Sequence, residues 1–304
     1  MLSSLFVTLG LFLLGDGVGV RALPTRHSYK RTLTDVSATE VTDLTPFGQF
    51  SRAAYCNVDL SFSCGDACNA LPGFQVEAFG GDGDANPRFF VGFWPTQNTA
   101  VVVHEGTDPT KLFSVLNDVK VVQIPLNTTL FPGAPSNLEV HDGFADAHAF
   151  SAAPVLAAVK SIFAAHSISS VTVVGHSLGG AIATLDSVFL KMNLPASTTI
   201  KTVVHGCPRV GNQAFADFID ANFNDFTRIT HQSDPIPVVP GRFLGFHHPS
   251  GEIHIEDNDS FVACSGQDNP DPQCSTGAVS NVLFSNILDH LGPYNGVSMG
   301  TVFC

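Results

Sequence analysis

The chain has 304 residues, 44% of them hydrophobic, with 27 acidic against 14 basic side chains and a formal net charge of −13. A chain of this length and hydrophobic content can bury one large core, and α/β enzymes of this size are often a single domain. The negative surface repels phosphate backbones and anionic bilayers, which argues against nucleic acid as a partner.

The first element is an apolar stretch, Leu5 to Leu14, too short to span a bilayer and followed by small residues. It reads as a secretory signal, with cleavage expected after Ala22 and residues 1–22 removed. The dibasic pair Lys30-Arg31 would close a pro-segment over residues 23–31, so a single mature domain is expected over 32–304. That mature chain carries 10 basic and 26 acidic side chains, a net charge of −16. No later apolar run is long enough to be a transmembrane segment, and a monomer is expected.

A helix is predicted over Thr39 to Cys56, followed by a cysteine-containing loop and β-type runs at Gln75–Phe79, Arg88–Trp94 and Thr99–Glu105. These runs lack intervening helices and suggest an antiparallel edge. Gly80 to Asn86 is rich in Asp and Gly, but the position where a calcium loop needs its bidentate acid falls on Phe93, so a plain turn is expected. Ala145 to His166 has helical apolar spacing (Val155, Val159, Ile162, Phe163), with Pro154 expected to kink it.

The most informative segment follows. Ser170 to Val174 is a short β-branched run and Ala181 to Met192 has helical spacing; between them stands Gly175-His176-Ser177-Leu178-Gly179-Gly180. A serine on so sharp a strand-to-helix turn needs glycine two residues to either side, and the helix N-terminus turns unpaired N–H groups toward it. Such a setting suits a nucleophile and a developing oxyanion. Gly296 to Gly300 also spells G-x-S-x-G, but no β-rich run precedes it and too little chain follows it for an acid and a base. Further on, β-type runs at Thr199–His205 and Phe226–His231 flank a helix near Asn212–Phe223. Alternating strand and helix predicts an α/β fold: a mainly parallel central sheet with helices on both faces.

A serine hydroxyl needs an imidazole to take its proton and a carboxylate to orient that imidazole. Asp234 follows a strand end and is stiffened by Pro235 and Pro237, the right place for the acid. Asp186 lies within a helix, and Asp268 and Asp271 sit in a cysteine-bounded loop, so they fit less well. Four histidines follow Asp234. His247, His248 and His254 read as packing or surface residues, leaving His290, after the apolar segment Val282–Leu288, as the base. The adjacent Asp289 is not the acid. Oxyanion donors are expected from the Leu178 amide and from Thr107, which follows the strand ending near Gly106. The chemistry calls for no metal or organic cofactor, because water completes deacylation.

Seven cysteines in a secreted chain imply disulfides and a leftover thiol. Cys64 with Cys68, and Cys264 with Cys274, are local candidates; Cys56 and Cys304 would then join the chain ends. Cys207, directly after a β-type run, suits a buried free thiol, though sequence alone leaves the connectivity open. Sequons stand at Asn127 and Asn258.

Ala53-Ala54-Tyr55-Cys56, Gly106-Thr107, Val140 to Phe144, Gly175 to Gly180, Pro208 to Asn212, Asp234 to Pro237 and Asp289-His290-Leu291 occur in that order. Together they resemble the fungal class 3 lipases, secreted triacylglycerol lipases of the α/β-hydrolase fold. The resemblance implies Ser177, Asp234 and His290 as the triad, Thr107 and Leu178 as the oxyanion hole, and the three disulfides paired as above. It also places a short helical lid over Thr107 to Val119, where Leu112, Phe113, Val115 and Leu116 give one apolar face. A lipid–water interface and an ester substrate are the partners so implied. The family commonly has Arg where this chain has Glu105, and its lid frequently carries a tryptophan that is missing here; Asp118 resembles the acid that ends the lid. A soluble-ester esterase of the feruloyl type, or a phospholipase A1, would use the same fold. A catalytically dead lipid-binding protein is the reading from another class.

Overall fold

The computed structural model describes residues 33–108 and 121–304. The expected signal and pro-segment, and the predicted lid residues Leu112, Phe113, Val115 and Leu116 with Asp118, lie outside the described residues. In chain order the strands are β1 (Leu33–Asp35), β2 (Gln75–Gly80), β3 (Phe89–Trp94), β4 (Thr99–His104), β5 (Gln123–Pro125), β6 (Glu139–His141), β7 (Ser170–His176), β8 (Thr199–His205), β9 (Gly211–Asn212), β10 (Phe226–His231), β11 (Phe246–His247), β12 (Glu252–Ile255) and β13 (Phe261–Cys264). The helices used below are α1 (Ala38–Ala53), α2 (Asp66–Asn69), α3 (Asp142–His166), α4 (Leu178–Asn193) and α5 (Gln213–Asn222).

The main sheet runs β1-β13-β12-β10-β8-β7-β4-β3-β2. Its centre is parallel from β4 through β7, β8 and β10 to β12. The expected antiparallel edge is present as β2 and β3. The opposite edge is antiparallel too, because β12 and β13 are joined by a turn too short for a parallel crossover. A small second sheet, β11-β9-β6-β5, escaped the sequence reading: strands of two or three residues carry no usable periodicity.

Both faces of the centre are covered, so β4 (Thr-Ala-Val-Val-Val-His) is buried at every position instead of alternating. Its side chains still divide between two cores. Ala100 and Val102 share one core with Val155, Val159 and Ile162 of α3 and Ala181 and Leu185 of α4, whereas Val101 and Val103 share the other with Phe47 and Phe50 of α1. Phe50 stands edge-on to Trp94 and Phe74, with ring centroids 5.2 and 5.0 Å away. α3 begins at Asp142, earlier than predicted, because the His141 ring accepts the Gly143 N–H as a cap, and the helix continues through Pro154. By length and composition α3 could cross a membrane, yet its apolar stripe is packed on the sheet.

Disulfides join Cys56 to Cys304, Cys64 to Cys68 and Cys264 to Cys274, the pairing that the resemblance implies. Cys207 is free and buried, and burial pushes its thiol up to about 12, so it is inert as a nucleophile. The Gly80 to Asn86 segment is a turn in which Asp82 accepts the backbone N–H groups of Asp84 and Asn86.

Candidate active site

Ser177 joins β7 to α4 with φ 59° and ψ −128°, a conformation costly for any residue with a Cβ. Backbone contact enforces the turn. A Cβ on Gly175 would lie 2.1 Å from the Gly179 carbonyl oxygen, and one on Gly179 would lie 2.3 Å from the His104 carbonyl oxygen. The Ser177 N–H donates to the His205 carbonyl at 3.0 Å, and its own carbonyl accepts the Gly180 and Ala181 N–H groups that open α4. Leu178 is the first residue of that helix, where backbone N–H groups lack partners within the helix.

Asp234 and His290 come together across 56 residues: the His290 Nδ1–H donates to Asp234 Oδ2 at 2.8 Å, and both are 1% exposed. The Ile236 N–H occupies Asp234 Oδ1 at 2.8 Å, so Oδ2 is the oxygen turned to the ring. Asp289, rejected as the acid, instead accepts the Ser233 N–H at 3.1 Å and braces the Asp234 loop.

His290 Nε2 is buried and has no hydrogen-bond partner among the described residues. It is therefore available to a hydroxyl. The His290 ring lies 4.4 Å, centroid to centroid, from that of His176, the neighbour of Ser177. It also lies against Gly206, where a Cβ would come within 2.8 Å of it, and the preceding carbonyl, that of His205, takes the Ser177 N–H. Ser177 and His290 thus share one wall without a direct hydrogen bond, and such contacts often tighten only when substrate binds. The loop that leads to Thr107 passes the same place: a Cβ on the preceding Gly106 would lie 2.9 Å from Ser177 Cβ. Glu105, where the resemblance leads one to expect arginine, is buried and accepts both the Arg88 N–H at 2.9 Å and its guanidinium at 2.8 Å. Burial raises its carboxyl above the usual range, although Arg88 works against that.

The sequence reading missed His176, Tyr55 and Gly206. His176 Nε2–H donates to the His290 carbonyl at 2.8 Å, which leaves Nδ1 as an acceptor for the Tyr55 hydroxyl at 2.6 Å. The Tyr55 oxygen in turn meets the Gly106 N–H. The loop carrying Thr107 and the loop carrying His290 are thereby linked beneath Ser177. Tyr55 and His176 belong to sequence motifs quoted above, but nothing in their spacing reveals that they touch.

Burial keeps His176, His205 and His248 neutral: it pushes His176 and His248 well below the usual histidine value and His205 down to about 3. Neighbouring His290 adds to this at His176, as Arg228 does at His248. An unfolded chain binds those protons near pH 6.5, so stability is complete above that value and is lost as pH falls toward about 3 for His205. Each pH unit within this window removes about 1.4 kcal/mol per such histidine. Calorimetry is expected to give a lower unfolding midpoint at pH 5 than at pH 7.5; a higher one would contradict the assignment of neutral rings.

A polar cavity of about 450 Å³ lies at the other end of the sheet, lined by Thr99, Ser170 and Thr199 at the strand starts. It plays no part in this site.

The family model for lipase (class 3) matches residues 101–244. A secreted mono- and diacylglycerol lipase of Malassezia globosa is 32% identical over 225 residues, covering 73% of this chain and 72% of the relative. A second one, from Malassezia restricta, is 28% identical over 302 residues, covering 96% and 91%. Among solved structures, the triacylglyceride lipase of Rhizomucor miehei superposes with a TM-score of 0.76 at 26% identity, covering 89% of this chain and 99% of that one. A structure of equal TM-score and identity is described as a triacylglycerol lipase whose catalytic centre is a serine protease triad. The chain belongs to the class 3 lipase family, and it is a secreted ester hydrolase of the α/β-hydrolase fold.

Proposed function

We propose that the chain hydrolyses acylglycerol esters at a lipid–water interface through an acyl-enzyme on Ser177. The observation that carries this reading is the buried Asp234–His290 pair, with its unpartnered Nε2 on the wall shared with a strained serine. His290 Nε2 takes the Ser177 proton as Oγ adds to the ester carbonyl, and Asp234 stabilises the imidazolium. The Leu178 and Thr107 amides receive the oxyanion. His290 then gives its proton to the departing glycerol oxygen. Water, deprotonated by the same ring, releases the fatty acid.

The relatives named above act on mono- and diacylglycerols by name, and the structural neighbours on triacylglycerols, which supports acylglycerols as the class. Exposed apolar side chains favour an aggregated over a dissolved substrate. Phe243, Leu283 and Leu288 are 89%, 83% and 67% exposed, the last two within eight residues of His290. Val121 and Val122 are exposed next in sequence to Gln123, whose side-chain N–H donates to the Leu244 carbonyl. Exposed large apolar side chains of this kind suit contact with an apolar phase.

Tributyrin hydrolysis followed below and above its solubility limit tests this reading. A rise in rate at saturation is expected; a smooth saturation curve on dissolved ester would favour the feruloyl-type alternative. The reading includes a monomer that binds no nucleic acid, with a leader ending at Ala22 and a pro-segment ending at Arg31. N-terminal sequencing of the secreted protein is expected to start at Thr32, and a start at Met1 or Leu23 would refute that processing. Asn127 and Asn258 are exposed in turns where Oδ1 takes the second following N–H, which supports glycan attachment at Nδ2.

A further inference from the structure

Three elements each place one buried titratable side chain at the same point behind the site. His104 is the last residue of β4, Asp186 is the charged residue among the buried positions of α4, and His148 is the titratable one among the buried positions of α3. His104 Nε2 meets Asp186 Oδ2 at 2.5 Å and His148 Nε2 meets Asp186 Oδ1 at 2.9 Å. None of the three is more than 1% exposed. The side chains of β4 on this face are apolar at Ala100 and Val102 and turn polar only at His104, three residues before Thr107.

Stability does not account for this cluster. A buried carboxylate with two rings is costly to desolvate, and well-packed apolar groups of similar volume usually serve as well or better. The His148 Nδ1 atom is in addition buried without a partner among the described residues. Directional hydrogen bonds supply something that dispersion does not, namely a fixed distance and angle between elements.

The separation that matters here lies close by. β4 pairs with β7 up to His104 and Gly175. Beyond that pair, the His104 and Glu105 carbonyls lie against Gly179 in the first turn of α4, where a Cβ would come within 2.3 and 2.6 Å of them. At this contact the backbone of the strand end meets the backbone of the first helix turn directly. Their spacing depends on that contact, on the β4–β7 pairing and on the core shared by Ala100, Val102, Ala181 and Leu185; the directional side-chain tie between β4 and α4 is the one from His104 to Asp186.

We propose that Asp186, by receiving His104 and His148, is a positioning residue that sets the spacing between the Thr107 and Leu178 amides. This rests on the reading of those amides as the oxyanion donors. Losing one oxyanion donor outright costs about 100- to 1,000-fold in kcat, and a misplaced one costs less, so a loss of roughly 10-fold is expected from Asp186→Asn. KM on a soluble p-nitrophenyl ester should change less than about twofold, because the effect falls on the transition state. The affinity for an alkylboronic acid, whose tetrahedral adduct puts an oxygen in the same place, should fall with kcat.

Labelling by a fluorophosphonate separates this inference from the one beneath it. If the wild-type chain is not labelled, or Ser177→Ala still is, the reading of Ser177 fails first. If wild type and Asp186→Asn both label fully, only the positioning role is under test. Unchanged kcat and boronate affinity with a lowered unfolding midpoint would then make the cluster purely structural and overturn the proposal. The triple variant His104→Phe, Asp186→Leu, His148→Phe leaves no buried charge or orphaned donor and guards against misfolding of the single one. Folded with reduced kcat and boronate affinity, it supports the proposal; folded with wild-type values, it overturns it.

Discussion

Ser177→Ala is expected to abolish hydrolysis while leaving the fold intact. The hydroxyl is the atom that would form the acyl bond, and without it the remaining groups have nothing to activate. Removing the nucleophile of a coupled serine–histidine–aspartate set lowers kcat by about 10⁶-fold in the best-measured case, and the remainder comes from the oxyanion donors and binding. The strained φ of 59° belongs to the backbone and persists in alanine. What holds the elbow are main-chain bonds, from the Ser177 N–H to His205 and from Gly180 and Ala181 to the Ser177 carbonyl, and alanine keeps them all. The unfolding midpoint should therefore stay within a few degrees of wild type. Measurable turnover of emulsified glycerides by a folded Ser177→Ala protein would remove Ser177 from the mechanism.

Asp234→Asn is expected to cost about 10⁴-fold in kcat, the size seen when a triad aspartate becomes the amide. The reason lies in how this side chain is held. Oδ1 is committed to the Ile236 N–H at 2.8 Å, so an asparagine oxygen is retained there and its NH₂ faces His290 Nδ1. Two donors cannot share that contact. The imidazole would keep its lone pair on Nδ1 and its proton on Nε2, the atom that has to receive the Ser177 proton. Substrate binding is untouched by this change, so KM should move little while kcat collapses. An Asp234→Asn enzyme with near wild-type kcat would point to another acid, of which Asp289 is the nearest in sequence to His290.

Much of this molecule was legible before any coordinates. The β-branched runs match β4, β7, β8 and β10 to within two residues of their ends, because strands covered on both faces are uninterrupted apolar stretches flanked by turn residues. The elbow was legible because a serine between glycines at a strand-to-helix junction has few other uses. Chain order and position at element ends pick out Asp234 and His290, and the structure pairs these two side chains. The helical spacing of α3 is legible from Ala145 to His166, and the helix includes Pro154. Its start was missed by three residues because the cap comes from the ring of His141, a residue type not used as a capping signal. The small sheet of β5, β6, β9 and β11 was invisible, since pairs of two or three residues depend entirely on what lies beside them.

The buried polar groups divide most clearly. In the sequence Asp186 reads only as a residue within a helix, with no hint that His104 and His148, 82 and 38 residues away, donate to its two oxygens. Glu105 looked like a departure from a family pattern until Arg88 was found against it. His176 was one letter of a motif, and its bonds to Tyr55 and the His290 carbonyl arise only where α1, β7 and the last turns of the chain meet.

From its residues alone, then, this protein declared its class of fold, and it offered Ser177, Asp234 and His290 as the nucleophile, acid and base proposed here. Each of those depends on local sterics and on order along the chain, which a sequence carries. The tertiary structure alone decided which oxygen of Asp234 meets His290, why that ring is neighboured by Gly206, and what fixes β4 against α4. Those are distances between atoms far apart in sequence, set by packing and by the need of every buried donor for an acceptor.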